Sequence, residues 1–135
     1  MILTDAGPLA ALINQRDPDH ALCVSTAGNL PSPMATTWAA FDEAMYLLGR
    51  DVGWKGQQPL LSMVQAGALR LIHVEDEWIP GIIAAMERYR DRPMDLADAT
   101  LIAVAEARGF TRIFSIDSDF HIYRLAGGKT LEVVP

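Results

Sequence analysis

The chain has 135 residues, of which 50% are hydrophobic and 21% are charged, and its formal net charge is −6 at pH 7. That length suffices for one domain with a sizeable core, and the composition excludes a disordered chain. The acidic balance argues against a protein that coats nucleic acid through a broad basic surface, but it is compatible with a nucleic-acid enzyme whose acids gather in one metal-binding pocket.

Short apolar runs bounded by turn residues predict strands, and apolar residues at three- and four-residue spacing predict helices. In the first half of the chain, the pattern predicts a strand at 2–4, helices at about 8–13 and 17–27, a connector at 29–33, and a helix from a Thr36 or Thr37 cap to about Gly49. A loose segment at 53–59, a helix at 60–65 and a strand at 68–74 are predicted next. The last part is predicted to contain helices at 75–89 and from Asp95 to Gly109, a strand at 112–116, and a primed hairpin turn at Gly127-Gly128. Strands and helices that alternate at these lengths predict a single α/β domain, residues 1–135, with a largely parallel central sheet flanked by helices.

The cysteine content and the hydropathy indicate the compartment. The single cysteine, Cys23, cannot form an internal disulfide, so the fold does not depend on an oxidising environment. No apolar run approaches membrane-spanning length, and the N-terminus lacks a basic segment followed by a long apolar core. We therefore expect a cytoplasmic protein that does not contact membranes.

Acidic side chains follow two of the predicted strands. Asp5 and Asp117 each come just past the carboxyl end of an apolar strand, which is where ligands bind in open α/β sheets. Because Asp is also common in turns after strands, either residue alone could be explained as a turn residue. Their shared position at two strand ends favours convergence on one site.

Two more acids, Asp95 and Asp98, lie at the predicted start of a helix, three residues apart. An N-cap Asp followed by an acidic residue three positions later resembles a capping box, and both carboxylates suit the positive end of the helix dipole. Capping alone would explain the pair. Together with the strand-end acids, however, the pair predicts a cluster of carboxylates.

A fifth acidic position lies on the helix predicted after Thr37. From Trp38 to Leu48 every residue is apolar except Asp42 and Glu43. A helix that is apolar nearly all round is mostly buried, and a buried carboxylate needs a cation or hydrogen-bond donors. The alternative is one narrow wet face that carries both acids. The pattern does not choose between Asp42 and Glu43.

Four segments, in this order, resemble those of PIN-domain ribonucleases, and most closely the VapC-type toxins of bacterial toxin–antitoxin pairs. They are Ile-Leu-Thr-Asp5, Glu43-Ala-Met-Tyr-Leu-Leu, Met-Asp95-Leu-Ala-Asp98-Ala and Ser-Ile-Asp117-Ser-Asp-Phe, and the match extends to the closing Leu-Glu-Val-Val-Pro. The resemblance implies a PIN-like three-layer sandwich. It also implies that the catalytic, metal-binding acids are Asp5, Glu43, Asp98 and Asp117, with Asp95 and Asp119 as supporting acids.

The chemistry of such a cluster agrees with the resemblance. Mg²⁺ and Mn²⁺ prefer carboxylates and water, so acids without a nearby His or Cys predict a Mg²⁺ or Mn²⁺ site, not a zinc site. The implied reaction is metal-assisted hydrolysis of RNA phosphodiesters. The chain departs from the family at Ser115, where Thr is frequent but the hydroxyl survives, and at Ser118, where an Arg often provides a phosphate contact. Ser115 is a candidate to hydrogen-bond a carboxylate, although an inward-facing strand serine can also serve packing alone.

The resemblance further implies a homodimer, an RNA substrate, and an antitoxin that wraps the toxin and inserts a basic side chain into the acidic pocket. Arg88 and Arg92 would share a helical face if the helix before Asp95 persisted, and they are candidate contacts to RNA phosphates. A solvent-exposed helix end is the simpler interpretation of both arginines.

Three other functions are consistent with parts of the pattern. A Mg²⁺-dependent phosphotransfer domain, phosphorylated on Asp5 or Asp117, would need a lysine near the pocket, and neither Lys55 nor Lys129 lies at a strand end. A catalytically idle PIN fold that only binds RNA or protein would be expected to have lost an acid. A purely structural α/β domain would make the convergence accidental.

Overall fold

The computed structural model, which describes residues 1–135, contains five strands and six α-helices, with a pair of helices between each of the first four strands. The strands are β1 (Ile2–Thr4), β2 (Met34–Thr37), β3 (Leu69–Ile72), β4 (Arg112–Phe114) and β5 (Glu132–Val134). The helices are α1 (Ala6–Ile13), α2 (His20–Ala27), α3 (Trp38–Asp51), α4 (Trp54–Gln65), α5 (Ile79–Arg88) and α6 (Leu96–Arg108), and short 3₁₀ turns cover Asp76–Trp78 and Ser118–His121. No helix combines the length and the hydropathy needed to cross a bilayer.

The strands form one sheet in the order β3-β2-β1-β4-β5, and every neighbouring pair is parallel. The chain therefore steps outward from β1 to β2 and β3, and then returns to the other side of β1 with β4. The crevice between the carboxyl ends of β1 and β4 is thus a topological switch point, which is where open α/β sheets bind ligands. The predicted α/β fold with a mostly parallel sheet is confirmed.

Helices cover both faces of the sheet, because strands buried on both sides need apolar partners above and below. Leu3 and Ile113 point into a core cluster that includes residues of α5 and α6. Ile2 and Phe114, their chain neighbours, point into a second cluster with residues of α1, α2, α3 and α4. The expected three-layer arrangement follows from this alternation. Helix α6 is the most deeply placed, with nine consecutive buried residues from Ala97 to Ala105.

Strand β2 is missing from the sequence-based prediction, which assigns residues 29–33 to a connector that leads directly to a helix cap. The strand has four residues, and two of them are threonines that hydropathy does not mark as interior. The Thr36 hydroxyl donates to the Thr4 carbonyl at 2.7 Å, which satisfies it inside the sheet. Thr37 is the N-cap of α3 and accepts from the Ala40 N–H at 3.3 Å. Of the two predicted caps, Thr37 is the correct one.

Helix α4 begins at Trp54, so the prediction of a loose segment at 53–59 was wrong. Gly56 is a packing residue of the helix and not a loop residue, because a Cβ there would lie 2.8 Å from the Cβ of Val52. Pro59 lies inside the helix. Propensity favoured a loop, and packing against α3 decided the outcome.

The predicted hairpin at Gly127-Gly128 is also wrong, although a turn exists there. Gly128 has φ 81° and its N–H donates to the Leu125 carbonyl at 2.8 Å. Strand β5 nevertheless pairs in parallel with β4, with Ile113 opposite Val133. A parallel pair requires a long crossover instead of a tight turn. The segment between Phe114 and Leu131 forms that crossover.

Gly109 provides a test of the end of α6. It adopts φ 73° as the left-handed C-cap, and a Cβ there would meet no atom within 4 Å, so substitution imposes backbone strain alone. Gly109→Ala should lower the free energy of unfolding by about 1 kcal/mol. Gly81→Ala, in α5 with no atom within 4 Å of the new Cβ, should instead raise it by about 0.5 kcal/mol. Urea denaturation of both variants measures the contrast, and equal effects would contradict it.

Candidate active site

Five carboxylates line one cavity of about 190 Å³ at the carboxyl ends of β1 and β4. We call it the acid cavity, and its lining is Asp5, Ala6, Gly7, Glu43, Leu47, Asp95, Asp98, Ile116 and Asp117. No Lys or Arg is among these residues. The cavity therefore concentrates negative charge without a basic side chain of the protein to balance it.

Asp5 is fixed by the transition from β1 to α1. Its Oδ1 caps α1 by accepting from the Ala6 N–H at 2.8 Å, and its Oδ2 accepts from the Ser115 hydroxyl at 3.0 Å. The side chain is buried, and burial raises the pKa of Asp5 to about 6 even though both of these hydrogen bonds act to lower it. The carboxylate is thus rigidly held but costly to ionise.

Ser115 connects the two strand-end acids. It stands one residue beyond the last paired residue of β4, as Asp5 does in β1. Its hydroxyl donates to Asp5, and its oxygen accepts from the Asp117 N–H at 3.0 Å. Asp117 in turn accepts from the Asp119 N–H at 2.9 Å. The hydroxyl therefore sets the spacing of Asp5 and Asp117 across the switch point.

The first turn of α6 contributes the second pair of acids. Asp95 is the N-cap, and its Oδ1 accepts from the Asp98 N–H at 2.8 Å. The Asp98 side chain is buried and accepts from the Tyr123 hydroxyl at 3.1 Å. Burial, followed by the negative charges of Asp5 and Asp95, raises the pKa of Asp98 to about 8.

Glu43 projects from α3 into the acid cavity, whereas Asp42 is exposed and does not line it. The geometry therefore favours Glu43 over Asp42, which the sequence alone left open. Partial burial, and then the charges of Asp95, Asp5 and Asp117, raise the pKa of Glu43 to about 7.

Helix α3 is less buried than its apolar sequence suggested. The side chains of Trp38 and Tyr46 are 49% and 65% exposed. The start of α3 is nonetheless tied to α6, since the Thr37 hydroxyl lies 2.7 Å from that of Thr100, which itself donates to the Ala97 carbonyl. This buried link sets the position of the Glu43 helix relative to the Asp98 helix.

The oxygens available in the cavity fit a hard divalent cation. Asp5, Asp98 and Asp117 each offer a carboxylate oxygen, and the three oxygens lie within 4.8 Å of one another. Like charges this close in a partly dry site disfavour ionisation, which agrees with the raised pKa values. All-oxygen ligands without His or Cys are those of Mg²⁺ or Mn²⁺. Glu43 is outside this group of three but lines the same cavity.

The family model described as PIN domain matches residues 2–126. The chain belongs to the PIN domain family. The ribonuclease VapC26 of Mycobacterium tuberculosis is 23% identical to it over 135 residues, which is 99% of this chain and 100% of that protein.

Three solved structures share the PIN fold. VapC20 of Mycobacterium tuberculosis, a sarcin–ricin loop cleaving toxin, superposes with a TM-score of 0.85 and 23% identity over the whole of both chains. A toxin–antitoxin complex from Klebsiella pneumoniae matches with a TM-score of 0.69 and 16% identity over 89% of this chain and 90% of that one. VapBC2 from Rickettsia felis, bound to a DNA fragment from its promoter, matches with a TM-score of 0.63 and 14% identity over the whole of both chains. The resemblance to VapC-type proteins is confirmed.

The remaining predicted site residues, Asp119, Arg88 and Arg92, do not line the acid cavity of this PIN domain. Asp119 does not line the cavity, and it pairs with the Arg92 Nη1 at 3.0 Å. Helix α5 ends at Arg88, so Arg88 and Arg92 do not share a helical face. The helix does not persist toward Asp95, as a shared face of the two arginines would require. The Arg88 guanidinium instead lies over the Tyr89 ring, 5.2 Å from its centroid.

Sequence reasoning missed Tyr123, which contacts an acid of the site from 25 residues downstream. Its ring is completely buried, and burial together with the Asp98 charge raises the pKa of the Tyr123 hydroxyl well above its usual range. No periodic pattern surrounds it. The one available signal was a polar aromatic in an apolar context, which usually finds a hydrogen-bond partner when buried.

The raised pKa values predict how the stability of the metal-free protein depends on pH. Between about pH 4 and pH 8, folded Asp5, Glu43 and Asp98 bind more protons than they do in the unfolded chain. These groups therefore stabilise the fold less as the pH rises through that window. Asp98→Asn should raise the Tm at pH 8 by roughly 4 °C or more, and by much less at pH 5.

Thermal denaturation in EDTA at the two pH values measures this effect, with Asp42→Asn as the control because that side chain is exposed and outside the acid cavity. An Asp98→Asn effect that did not change with pH would contradict the assignment.

Proposed function

We propose that this PIN domain is a Mg²⁺- or Mn²⁺-dependent endoribonuclease that serves as the toxin of a toxin–antitoxin pair. The principal support is the convergence of Asp5, Asp98 and Asp117, whose carboxylate oxygens lie within 4.8 Å in a cavity lined by no basic residue. RNA as the substrate is supported by the relative named ribonuclease VapC26.

In the proposed mechanism, Asp5, Glu43, Asp98 and Asp117 would hold the metal. When bound, a divalent cation lowers the pKa of water, orients the scissile phosphate and stabilises the leaving oxygen. Ser115 keeps the strand-end carboxylates in register through its contacts with Asp5 and the Asp117 N–H. Asp95 caps α6 and adds negative charge to the same cavity.

A neighbouring cleft of about 280 Å³ offers room for RNA beside the scissile phosphate. It shares Ile116 and Asp117 with the acid cavity, and Leu22, Ser118 and His121 also line it. The side chains of Ile116 and Leu22 are 37% and 47% exposed and offer apolar surface to an unstacked base.

Arg88 and Arg92 remain candidate phosphate contacts of the proposed RNA substrate. Arg92 is paired with Asp119, so it would have to exchange that partner for a phosphate. The Arg88 guanidinium lies over Tyr89. Contacts of this kind position RNA but do not select its sequence.

An antitoxin partner is supported by the similarity to a toxin–antitoxin complex and to VapBC2. A basic side chain of the antitoxin would complement the five carboxylates of the acid cavity. Homodimerisation and a cytoplasmic location complete the proposal. The phosphotransfer alternative lacks the lysine it needs, because none lines the cavity.

Incubation of the protein with a pool of cellular RNAs tests the enzyme assignment. We expect cleavage with Mg²⁺ or Mn²⁺, none in EDTA, and none by Asp98→Asn, because that change removes a charged ligand from the centre of the cavity. Cleavage that survived both chelation and Asp98→Asn would refute the mechanism. Metal-dependent RNA binding without cleavage would instead support the catalytically idle PIN fold.

Paired substitutions on α3 test the choice between its two adjacent acids. Glu43→Gln should lower the cleavage rate by roughly 100-fold or more, because it removes a charged ligand of the proposed metal site. Asp42→Asn, one residue away and exposed, should leave the rate within about twofold. Single-turnover rates at saturating Mg²⁺ measure both variants, and the reverse order would transfer the role to Asp42.

A further inference from the structure

Tyr123 does not line the acid cavity, yet like Ser115 it donates a hydrogen bond to one of the buried acids there. Its hydroxyl donates to Asp98 Oδ2 at 3.1 Å, and the residue is 0% exposed. A hydroxyl buried this completely must find a partner inside the protein. Its partner is a carboxylate of the proposed metal site.

The Tyr123 ring is held on two sides by other aromatic rings. Phe120 packs edge-on with the ring centroids 5.3 Å apart, and Tyr89 packs edge-on at 5.0 Å. The Tyr123 backbone N–H donates to the Asp119 carbonyl at 3.1 Å, which ties the residue to the turn after Asp117. These contacts hold the Tyr123 ring in one position, with its hydroxyl directed at Asp98.

We propose that Tyr123 is a positioning residue for the divalent cation of the acid cavity. It engages Oδ2 of Asp98 and thereby holds this carboxylate in place beside those of Asp5 and Asp117. This inference rests on the proposed function, because it assigns Tyr123 a role at that same site.

A neutral donor suits this task better than a basic one. Lysine or arginine at the same place would neutralise Asp98 and compete with the cation. A tyrosine hydroxyl restrains the carboxylate and leaves its charge available. Partners of this kind commonly decide how well a metal ligand is oriented.

Packing alone does not explain the hydroxyl, because phenylalanine would fill the aromatic cluster equally well. Tyr89 is the matched comparison within the same cluster. Its hydroxyl accepts from the Arg124 N–H at 2.9 Å and contacts no acid of the cavity. The two rings pack against each other, but Tyr123 is completely buried whereas Tyr89 is half-buried, and their hydroxyls contact different groups.

Calorimetric titration of the metal-stripped protein with MnCl₂ tests the proposal. Tyr123→Phe should weaken Mn²⁺ binding by about 10- to 100-fold, whereas Tyr89→Phe should change it by no more than about twofold. The Tm of both variants in EDTA serves as the structural readout. In an Asp98→Asn background, Tyr123→Phe should produce no further loss of affinity.

Two results would overturn the inference while leaving the proposed function intact. One is an Mn²⁺ affinity of Tyr123→Phe within twofold of that of the unsubstituted protein. The other is an equal loss of affinity in Tyr89→Phe, which would identify the effect as one of general packing. If the unsubstituted protein bound no Mn²⁺, or if Asp98→Asn did not reduce binding, the metal site itself would be refuted and the inference with it.

Discussion

Negative charge confined to a partly dry cavity is the constraint on which this structure depends. Asp5 and Asp98 are each only 6% exposed, and their neighbours in the cavity are further acids. Burying an uncompensated carboxylate destabilises a fold and favours its protonated form, so the rest of the chain must hold these groups together against that cost. The all-parallel sheet and its helices provide that restraint, and a divalent cation bound in the cavity, as proposed, would relieve the cost.

Three of these acids are held in place by hydrogen bonds that also cap a helix or close a turn. Asp5 caps α1, Asp95 caps α6, and Asp117 precedes the 3₁₀ turn whose Asp119 N–H it accepts. Each cap fixes one oxygen on a backbone N–H. Capping and metal binding are therefore compatible roles, since a helix N-terminus can fix one acid and present another, as α6 does with Asp95 and Asp98.

Features that depend on local sequence pattern could be predicted from the sequence. Features that depend on contacts between residues far apart in the chain could not. Asp5 and Asp117 end apolar runs, and parallel strands end at the same edge of a sheet, so their proximity could be inferred. Strand β2 could not, because its threonines are satisfied by Thr4 and Thr100, which lie elsewhere in the chain. The choice of Glu43 over Asp42 depends on how α3 is rotated against α6, which i±3 and i±4 neighbours do not reveal.

The crossover between β4 and β5, which replaces the predicted hairpin, brings a supporting side chain to a buried acid of the acid cavity. A hairpin at Gly127-Gly128 would have paired the last strand in antiparallel with the segment immediately before the turn. The parallel pairing instead requires a connection that passes over the sheet, and this connection buries Phe120 and Tyr123 in the same core cluster as α6. Asp98 thereby meets the Tyr123 hydroxyl. The support of the buried acid thus follows from strand direction, which local turn signals cannot specify.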